Sequence, residues 1–275
     1  MAPDGGRKRQ HRGAGQGGRP RPKPNASPDD VAFGVNPCAM AVSVGAARRL
    51  LYVEDSVNPR VTELVDQARD QGITTEGVTL DRLDQLSGGG VHQGVLVRLR
   101  ELEETDLRGV AARATGASLA LLLDGITDPQ NVGAVLRTAV ATGIDAVVLP
   151  RRRGAQLTPG VHRASAGLSF LAPVAAPQNL SQAVDILKEA GYWVAAAAGG
   201  EGAEDATQFD WPQKTALIVG SEGEGVSSLL LKRADFRVAL PMDPRVESLN
   251  VGVATGALSY LWRRQWPFAN SGSNG

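Results

Sequence analysis

Ser118-Leu119-Ala120-Leu121-Leu122-Leu123-Asp124-Gly125-Ile126-Thr127-Asp128-Pro129-Gln130-Asn131-Val132-Gly133-Ala134-Val135-Leu136-Arg137-Thr138-Ala139 is the stretch that decides the fold. Its first six residues form a continuous apolar run, as a strand buried on both faces of a parallel sheet requires. Asp128-Pro129 then reads as the N-cap and first position of a helix that Gly143 closes. A strand passing directly into a helix is the unit from which α/β sheets are built. The polar residues stand where the strand ends, which is where such sheets place their sites.

The same alternation continues on both sides. Downstream, strands are expected at 145–149, 193–198, 216–219 and 236–240, with helices at 180–190, 226–232 and 249–265. Upstream, residues 31–99 read as a small α/β unit: helix 37–47, strand 49–53, helix 59–71, strand 73–78 and a short helix 80–86. Gly88-Gly89-Gly90 then breaks the chain before a strand at 94–99. Residues 100–117 are charged, then Gly/Ala-rich, and are expected to link this unit to a second domain spanning 118–268. Both domains are therefore α/β, the larger with a mostly parallel sheet.

Composition narrows the class. With 275 residues and 42% hydrophobic content the chain can bury a normal core, and no apolar run approaches the roughly 18 residues of a membrane span. The single cysteine, Cys38, excludes an internal disulfide and reads as a small buried hydrophobe. The three histidines show no ligand spacing, so no metal is expected. A zero net charge hides an asymmetry: residues 1–30 carry seven Lys/Arg against three Asp, leaving the remainder at −4. That Gly/Pro-rich tail and residues 269–275 are expected to be disordered. A basic arm suits a phosphate backbone, and a solubilising extension explains it equally well. The tail has no apolar core of a secretory signal, so a cytoplasmic location is expected, with an organellar address left open.

Two further stretches carry chemistry. Ile218-Val219-Gly220-Ser221-Glu222-Gly223-Glu224-Gly225 follows a strand but lacks the phosphate lysine of a P-loop, since Val226 stands there. It also departs from the dinucleotide pattern. A tight turn explains its glycines and leaves Glu222 unexplained. Leu240-Pro241-Met242 and Glu247-Ser248-Leu249-Asn250-Val251 precede a long apolar helix, for which Ser248 would serve as N-cap. On the helix after Pro129, Asn131 and Thr138 are two turns apart and share a face. Arg137 lies near that edge among small apolar residues, where burial would require a partner.

In this order the three stretches resemble the SpoU (TrmH-like) branch of the SPOUT methyltransferases, which methylate a ribose 2′-hydroxyl of RNA. The resemblance covers 118–265. Asn131-x-Gly133-Ala134-x-x-Arg137-Thr138-Ala139 is similar to the first family motif, Ile218 to Gly223 with Gly225 to the second, and Leu240-Pro241-Met242 through Ser248-Leu249-Asn250-Val251 to the third. Phe33-Gly34-Val35-Asn36, Gly90-Val91-His92-Gln93-Gly94-Val95, Leu157-Thr158-Pro159 and Ala164-Ser165-Ala166-Gly167 resemble the subgroup that methylates a guanosine of large-subunit ribosomal RNA.

The resemblance implies a trefoil-knotted catalytic domain behind a ribosomal-protein-like RNA-binding domain. It implies S-adenosylmethionine as cofactor, held mostly by backbone groups around Gly220, Ser221, Leu240, Met242 and Leu249. Arg137 would be the catalytic arginine, with Asn131, Glu222, Ser248 and Asn250 orienting it and the ribose. Partners implied are ribosomal RNA and a second copy of the chain, packed partly through the helix after Leu249. A transfer-RNA or antibiotic-resistance ribose methyltransferase, and a catalytically silent RNA-binding assembly factor, are the competing readings. Asn36 stands where relatives often carry histidine, and the run 195–198 offers no side-chain hydroxyl.

Overall fold

A computed structural model describes residues 30–151 and 156–268; the two expected disordered tails lie outside the described residues, apart from Asp30. The first unit is a four-stranded sheet. It is built from β1 (Val31–Phe33), α1 (Val35–Ser43), β2 (Ala47–Val53), α2 (Pro59–Asp70), β3 (Thr74–Val78), α3 (Leu80–Leu86) and β4 (Val95–Leu99). The strand order is β1-β4-β2-β3. β2 and β3 run parallel, whereas β4 is antiparallel to both its neighbours. Period-two alternation gives each face its own core: Leu50, Val95 and Val97 pack under α1 and α2, and Leu51 and Leu96 under α3. β1 escapes sequence patterning because three residues carry no period. The first helix starts earlier than its sequence suggests and stops at Ser43, since Ala47 already belongs to β2.

The second unit contains β5 (Ser118–Asp124), α5 (Pro129–Thr142), β6 (Ala146–Val148), α6 (Pro159–Ala164), a 3-10 turn (Leu168–Phe170) and β7 (Val174–Ala175). It continues through α7 (Leu180–Glu189), β8 (Trp193–Ala197), β9 (Glu204–Asp205), β10 (Lys214–Gly220), α8 (Ser228–Leu231), β11 (Phe236–Ala239) and α9 (Val251–Gln265). Every strand pairing is parallel, in the order β7-β6-β5-β10-β8-β11-β9. Along β5, Leu119, Leu121 and Leu123 face the core under α5 and α9. Ala120 and Leu122 face the opposite core, under α7. The unbroken apolar run is thus a strand covered on both sides, as its sequence indicated.

The segment between the units is more than a connector. It contains α4 (Leu107–Arg113), whose Leu107 and Ala111 are buried in the core beside α7. Two apolar positions at helical spacing in a charged stretch gave too weak a pattern to show it.

Helix ends are fixed by polar ties. Asp128 accepts from the backbone N–H of Gln130 and Asn131, and Gly143 closes α5 in the left-handed region at φ 60°. Arg263 of α9 donates to the carbonyls of Thr142 and Gly143, pinning α9 to the end of α5. α9 is anchored again when Trp262 Nε1 donates to Pro212 O (3.0 Å) and Trp266 Nε1 to Trp211 O (2.8 Å). No helix among the described residues is long and apolar enough to cross a membrane, and no cluster of potential metal ligands occurs among them.

Candidate active site

The carboxyl ends of β5 and β10 lie side by side, Asp124 paired with Gly220. Asp124 carries a carboxylate into the next turn, where it accepts from Ser227 N (2.7 Å) at the start of α8. Gly220 must be glycine. A Cβ there would overlap the backbone of Gly225 and Val226, because the loop folds back through a Ser221–Gly225 bridge. Gly223 and Gly225 complete the turn at φ 93° and 67°.

That turn swings Glu222 towards two other motifs. Its Oε1 accepts from Asn131 Nδ2 (3.3 Å), Asn250 Nδ2 (2.6 Å) and Val251 N (3.3 Å). Asn250 Nδ2 also donates to Asn131 Oδ1 (2.8 Å). Asn250 Oδ1 in turn accepts from Gly252 N and Val253 N. Asn250, rather than the expected Ser248, is therefore the N-cap of α9, and the helix begins at Val251. The reason is chemical: an asparagine can cap through its oxygen while its amide nitrogen ties to Glu222 and Asn131, which a serine hydroxyl cannot do at once.

α5 and α9 approach closely through small residues. A Cβ on Gly252 would press on Ala134, and one on Gly256 would touch Thr138. On its other side α5 meets α6, where Gly133 packs against Ala164 and Ser165. Arg137 projects from α5 exposed, with no hydrogen bond or ion pair among the described residues. Ser248 is also exposed, and nothing in the structure joins it to the Asn131–Glu222–Asn250 cluster.

Beside the cluster lies a pocket of about 470 Å³. Gly220, Ser221, Leu240, Met242 and Leu249, the five residues expected to hold a cofactor, all line it. Ala197 and Ala198 line it as well, so that wall offers backbone groups and methyls. Glu222, Glu224 and Glu247 supply negative charge at its edge. The volume falls in the range of cofactor pockets, and the absence of a Cβ at Gly220 lets the Gly225–Val226 backbone fold back against it to form the pocket wall. A nucleoside cofactor with a cationic centre fits such walls.

Sequence reading gave His162 no role. It is buried on α6, stacked on Phe170 with ring centroids 4.3 Å apart, and its Nδ1 lies 2.8 Å from Ser169 Oγ. Burial pushes its pKa down to about 4, so it is held neutral.

An open parallel sheet with a glycine-backed pocket at its carboxyl edge, flanked by a polar cluster drawn from α5, the loop after β10 and the start of α9, is the arrangement of a ligand-binding α/β enzyme domain. The sequence model of the SpoU rRNA methylase family matches residues 118–260, and that for RNA 2′-O ribose methyltransferase substrate binding matches residues 31–105. The chain belongs to the SpoU rRNA methylase family and is an S-adenosylmethionine-dependent RNA ribose methyltransferase. It is 38% identical to the 23S rRNA (guanosine-2′-O-)-methyltransferase RlmB of Xanthomonas campestris pv. campestris, over 84% of this chain and 95% of that one. The RlmB of Xanthomonas axonopodis pv. citri matches at the same identity and coverage. Among solved structures, the SpoU methyltransferase AviRb of Streptomyces viridochromogenes, in complex with AdoMet, superposes with a TM-score of 0.71 at 26% identity. That match covers 86% of this chain and 90% of AviRb.

Proposed function

We propose that this enzyme methylates the ribose 2′-hydroxyl of a guanosine in 23S-type ribosomal RNA in the cytoplasm. The observation that carries the reading is the cross-tied cluster of Asn131, Glu222 and Asn250 at the edge of the glycine-backed pocket. Identity to two RlmB enzymes over most of the chain supports the choice of substrate.

In this reading Gly220, Ser221, Leu240, Met242 and Leu249 hold the cofactor, whose sulfonium supplies an electrophilic methyl group. Bound there, it would offer that methyl group to the ribose oxygen, and the chain's own task is to orient the ribose and handle the hydroxyl proton. Arg137 binds the neighbouring phosphate and stabilises the developing alkoxide, while the phosphate helps to accept the proton. A guanidinium hardly deprotonates in proteins, so Arg137 is not itself the base. The Asn131–Glu222–Asn250 cluster fixes α5 and the loops around it, which sets the attack geometry. Ser248 orients the ribose from the exposed loop before α9.

Two parts of the architecture belong to the same reading. The C-terminal segment of the catalytic domain threads the trefoil knot that the family resemblance implies. Two copies pair through the outer face of α9, where Val253 and Tyr260 are two turns apart and 59% and 57% exposed.

Ribose-methylation mapping of large-subunit RNA, from cells with and without the gene, tests the function. The expected result is loss of one 2′-O-methylguanosine, restored by wild type and not by Arg137→Ala. An unchanged ribosomal map together with methylation of transfer RNA by the purified protein would overturn the substrate.

A further inference from the structure

Among the described residues, two that are not glycine hold positive φ: Gln93 at 54° and Ala166 at 53°. One belongs to the small N-terminal unit and the other to the catalytic unit. Both line the same cleft between the units, a cavity of about 250 Å³ whose walls are Gly34, Asn36, Pro37, Val91, Gln93, Arg163 and Ala166. Strained backbone is retained where the surroundings force it, and it gathers at binding sites.

The surroundings here are specific. Gln93 Oε1 accepts from Val35 N (2.9 Å), the first residue of α1. Ala166 N donates to Arg163 O (3.0 Å), and Gly167 follows at φ 88°. A Cβ on Gly167 would press on Met40 and Pro37, so this turn sits directly against α1. The cleft is thus walled by close packing of α1 against the turn that follows α6.

Its polarity is one-sided. Gln93 Oε1 is taken by a backbone N–H, which turns its amide nitrogen the other way. Asn36 Oδ1 accepts from Arg60 Nη2 (2.6 Å), which turns its amide nitrogen away likewise. Neither amide nitrogen has a hydrogen-bond partner among the described residues, nor does the exposed Arg163 guanidinium. No acidic residue lines the cleft, and Val91, 65% exposed, adds an apolar surface. Donors and a cation beside an apolar surface suit a phosphodiester with an unstacked base, whose edge offers carbonyl and ring-nitrogen acceptors. The cavity is smaller than pockets that enclose a whole ligand, which suits one residue of a longer chain.

The cleft is also tied to the chemistry. α6 ends in its wall, and α6 packs on α5 through Gly160 against Pro129 and Ala164 against Gly133. At six residues, α6 spans about 9 Å. We propose that this junction seats an unpaired nucleotide of the RNA near the one being methylated. Its phosphate lies on Arg163, its base edge on the amides of Gln93 and Asn36, and its face on Val91. The proposal rests on the RNA methyltransferase reading above and adds a subsite to it.

Binding of a fluorescein-labelled single-stranded oligoribonucleotide of random sequence, followed by anisotropy across a salt series, tests it without relying on turnover. Gln93→Glu keeps the acceptor for Val35 N and removes the donor, so α1 stays capped. This variant and Arg163→Glu should each weaken RNA binding roughly tenfold. Arg163→Ala should lower the slope of log affinity against log salt by about 0.7, one single-strand phosphate contact. Calorimetric affinity for S-adenosylmethionine and the melting temperature should match wild type in all three. Unchanged RNA affinity and salt slope in the folded variants would overturn the subsite, even if the wild type methylates RNA. Weakened oligonucleotide binding in the variants of a wild type that methylates no RNA would keep the subsite and sink the enzymatic reading instead.

Discussion

Asn131 and Arg137 stand on one helix, fewer than two turns apart, in opposite circumstances. Asn131 is tied on both amide atoms, to Glu222 and to Asn250, and its own backbone is held by the Asp128 cap. Arg137 is exposed and has no partner among the described residues. The difference separates two kinds of functional polar group. A group that orients others needs its partners before substrate arrives, because geometry fixed in advance lowers the barrier. A group that grips an incoming charge must keep its donors unsatisfied, since an arginine already paired with a carboxylate has little left to offer a phosphate.

The largest expected effect breaks this contrast at its free end. Arg137→Ala should lower kcat by about 10²–10³-fold, the usual loss when one donor to a developing oxyanion is removed. Cofactor affinity and melting temperature should stay at wild-type values, because the side chain supports nothing in the fold. Arg137→Lys should recover only a small part of the rate, since an ammonium lacks the bidentate fork. Near-full turnover by the lysine variant, in a single-turnover assay, would refute the bidentate role.

Gly220 tests the scaffold behind the tied end. Gly220→Ala forces a Cβ into the Gly225 and Val226 backbone, and neither can move without opening the loop that presents Glu222. A loss of about 3 kcal/mol or more in urea unfolding is expected, with cofactor binding lost. A stable variant that binds cofactor normally would show that the turn yields more readily than its contacts indicate.

The two ends of α5 were not equally legible in the sequence. Strand β5, the Asp128-Pro129 start and the Gly143 stop could be read directly, because apolar runs, caps and left-handed glycines are local signals. The motif residues could be singled out as odd, yet their meeting could not be seen. Asn131 and Asn250 are 119 positions apart, and nothing local says that one amide will reach the other. The misplaced cap has the same origin: Ser248 is a sound cap by type, and only the tie to Glu222 selects Asn250. α4 and β1 were missed because short elements draw their stability from the surface they cover rather than from their own pattern. The cleft between the units was hidden for a different reason: the stretches around Gln93 and Ala166 could be singled out, but neither their positive φ nor their meeting is a local signal.

His162 supplies a buried counterpart to the exposed cluster, and a pH test. Burial lowers its pKa from about 6.5 to about 4. The unfolded chain therefore binds a proton in that window and the folded chain does not. Its contribution is complete above pH 6.5 and is lost as pH falls towards 4, to a limit on the order of 3 kcal/mol. Unfolding free energies measured across this range should fall more steeply in wild type than in His162→Gln. Parallel curves would mean that the ring is solvated or protonated in the folded state.

Removing the carboxylate at the centre of the cluster should have a smaller effect. Glu222 is exposed, so water can replace it, and Glu222→Ala should change the melting temperature little. What it loses is the common acceptor for Asn131, Asn250 and Val251, and with it the fixed relation of α5 to α9. A fall in kcat of roughly 10–100-fold is expected from such misplacement. The double variant with Asn131→Ala should cost less than the sum of the single effects, because both break one network. Combination with Arg137→Ala tests whether Arg137 is free of that network: additive losses sharpen the contrast, and strong coupling would erase it.

The smallest effect is expected at the cap. Asp128 accepts from Gln130 N and Asn131 N at 3.3 and 3.4 Å, on the exposed first turn of α5. Asp128→Ala removes both acceptors and a favourable charge at the helix start, at a cost of about 1 kcal/mol. Asp128→Asn keeps an acceptor and loses the charge, so it should cost a few tenths of that. Because Asn131 is also held through its side chain, neither change should lower kcat more than about twofold, an energy of about 0.4 kcal/mol. A larger fall in kcat for Asp128→Ala, at unchanged stability, would show that the cap and not the Glu222 tie sets the position of Asn131. The tied end of the helix would then owe its order to α5 alone rather than to its meeting with the Glu222 loop and the start of α9.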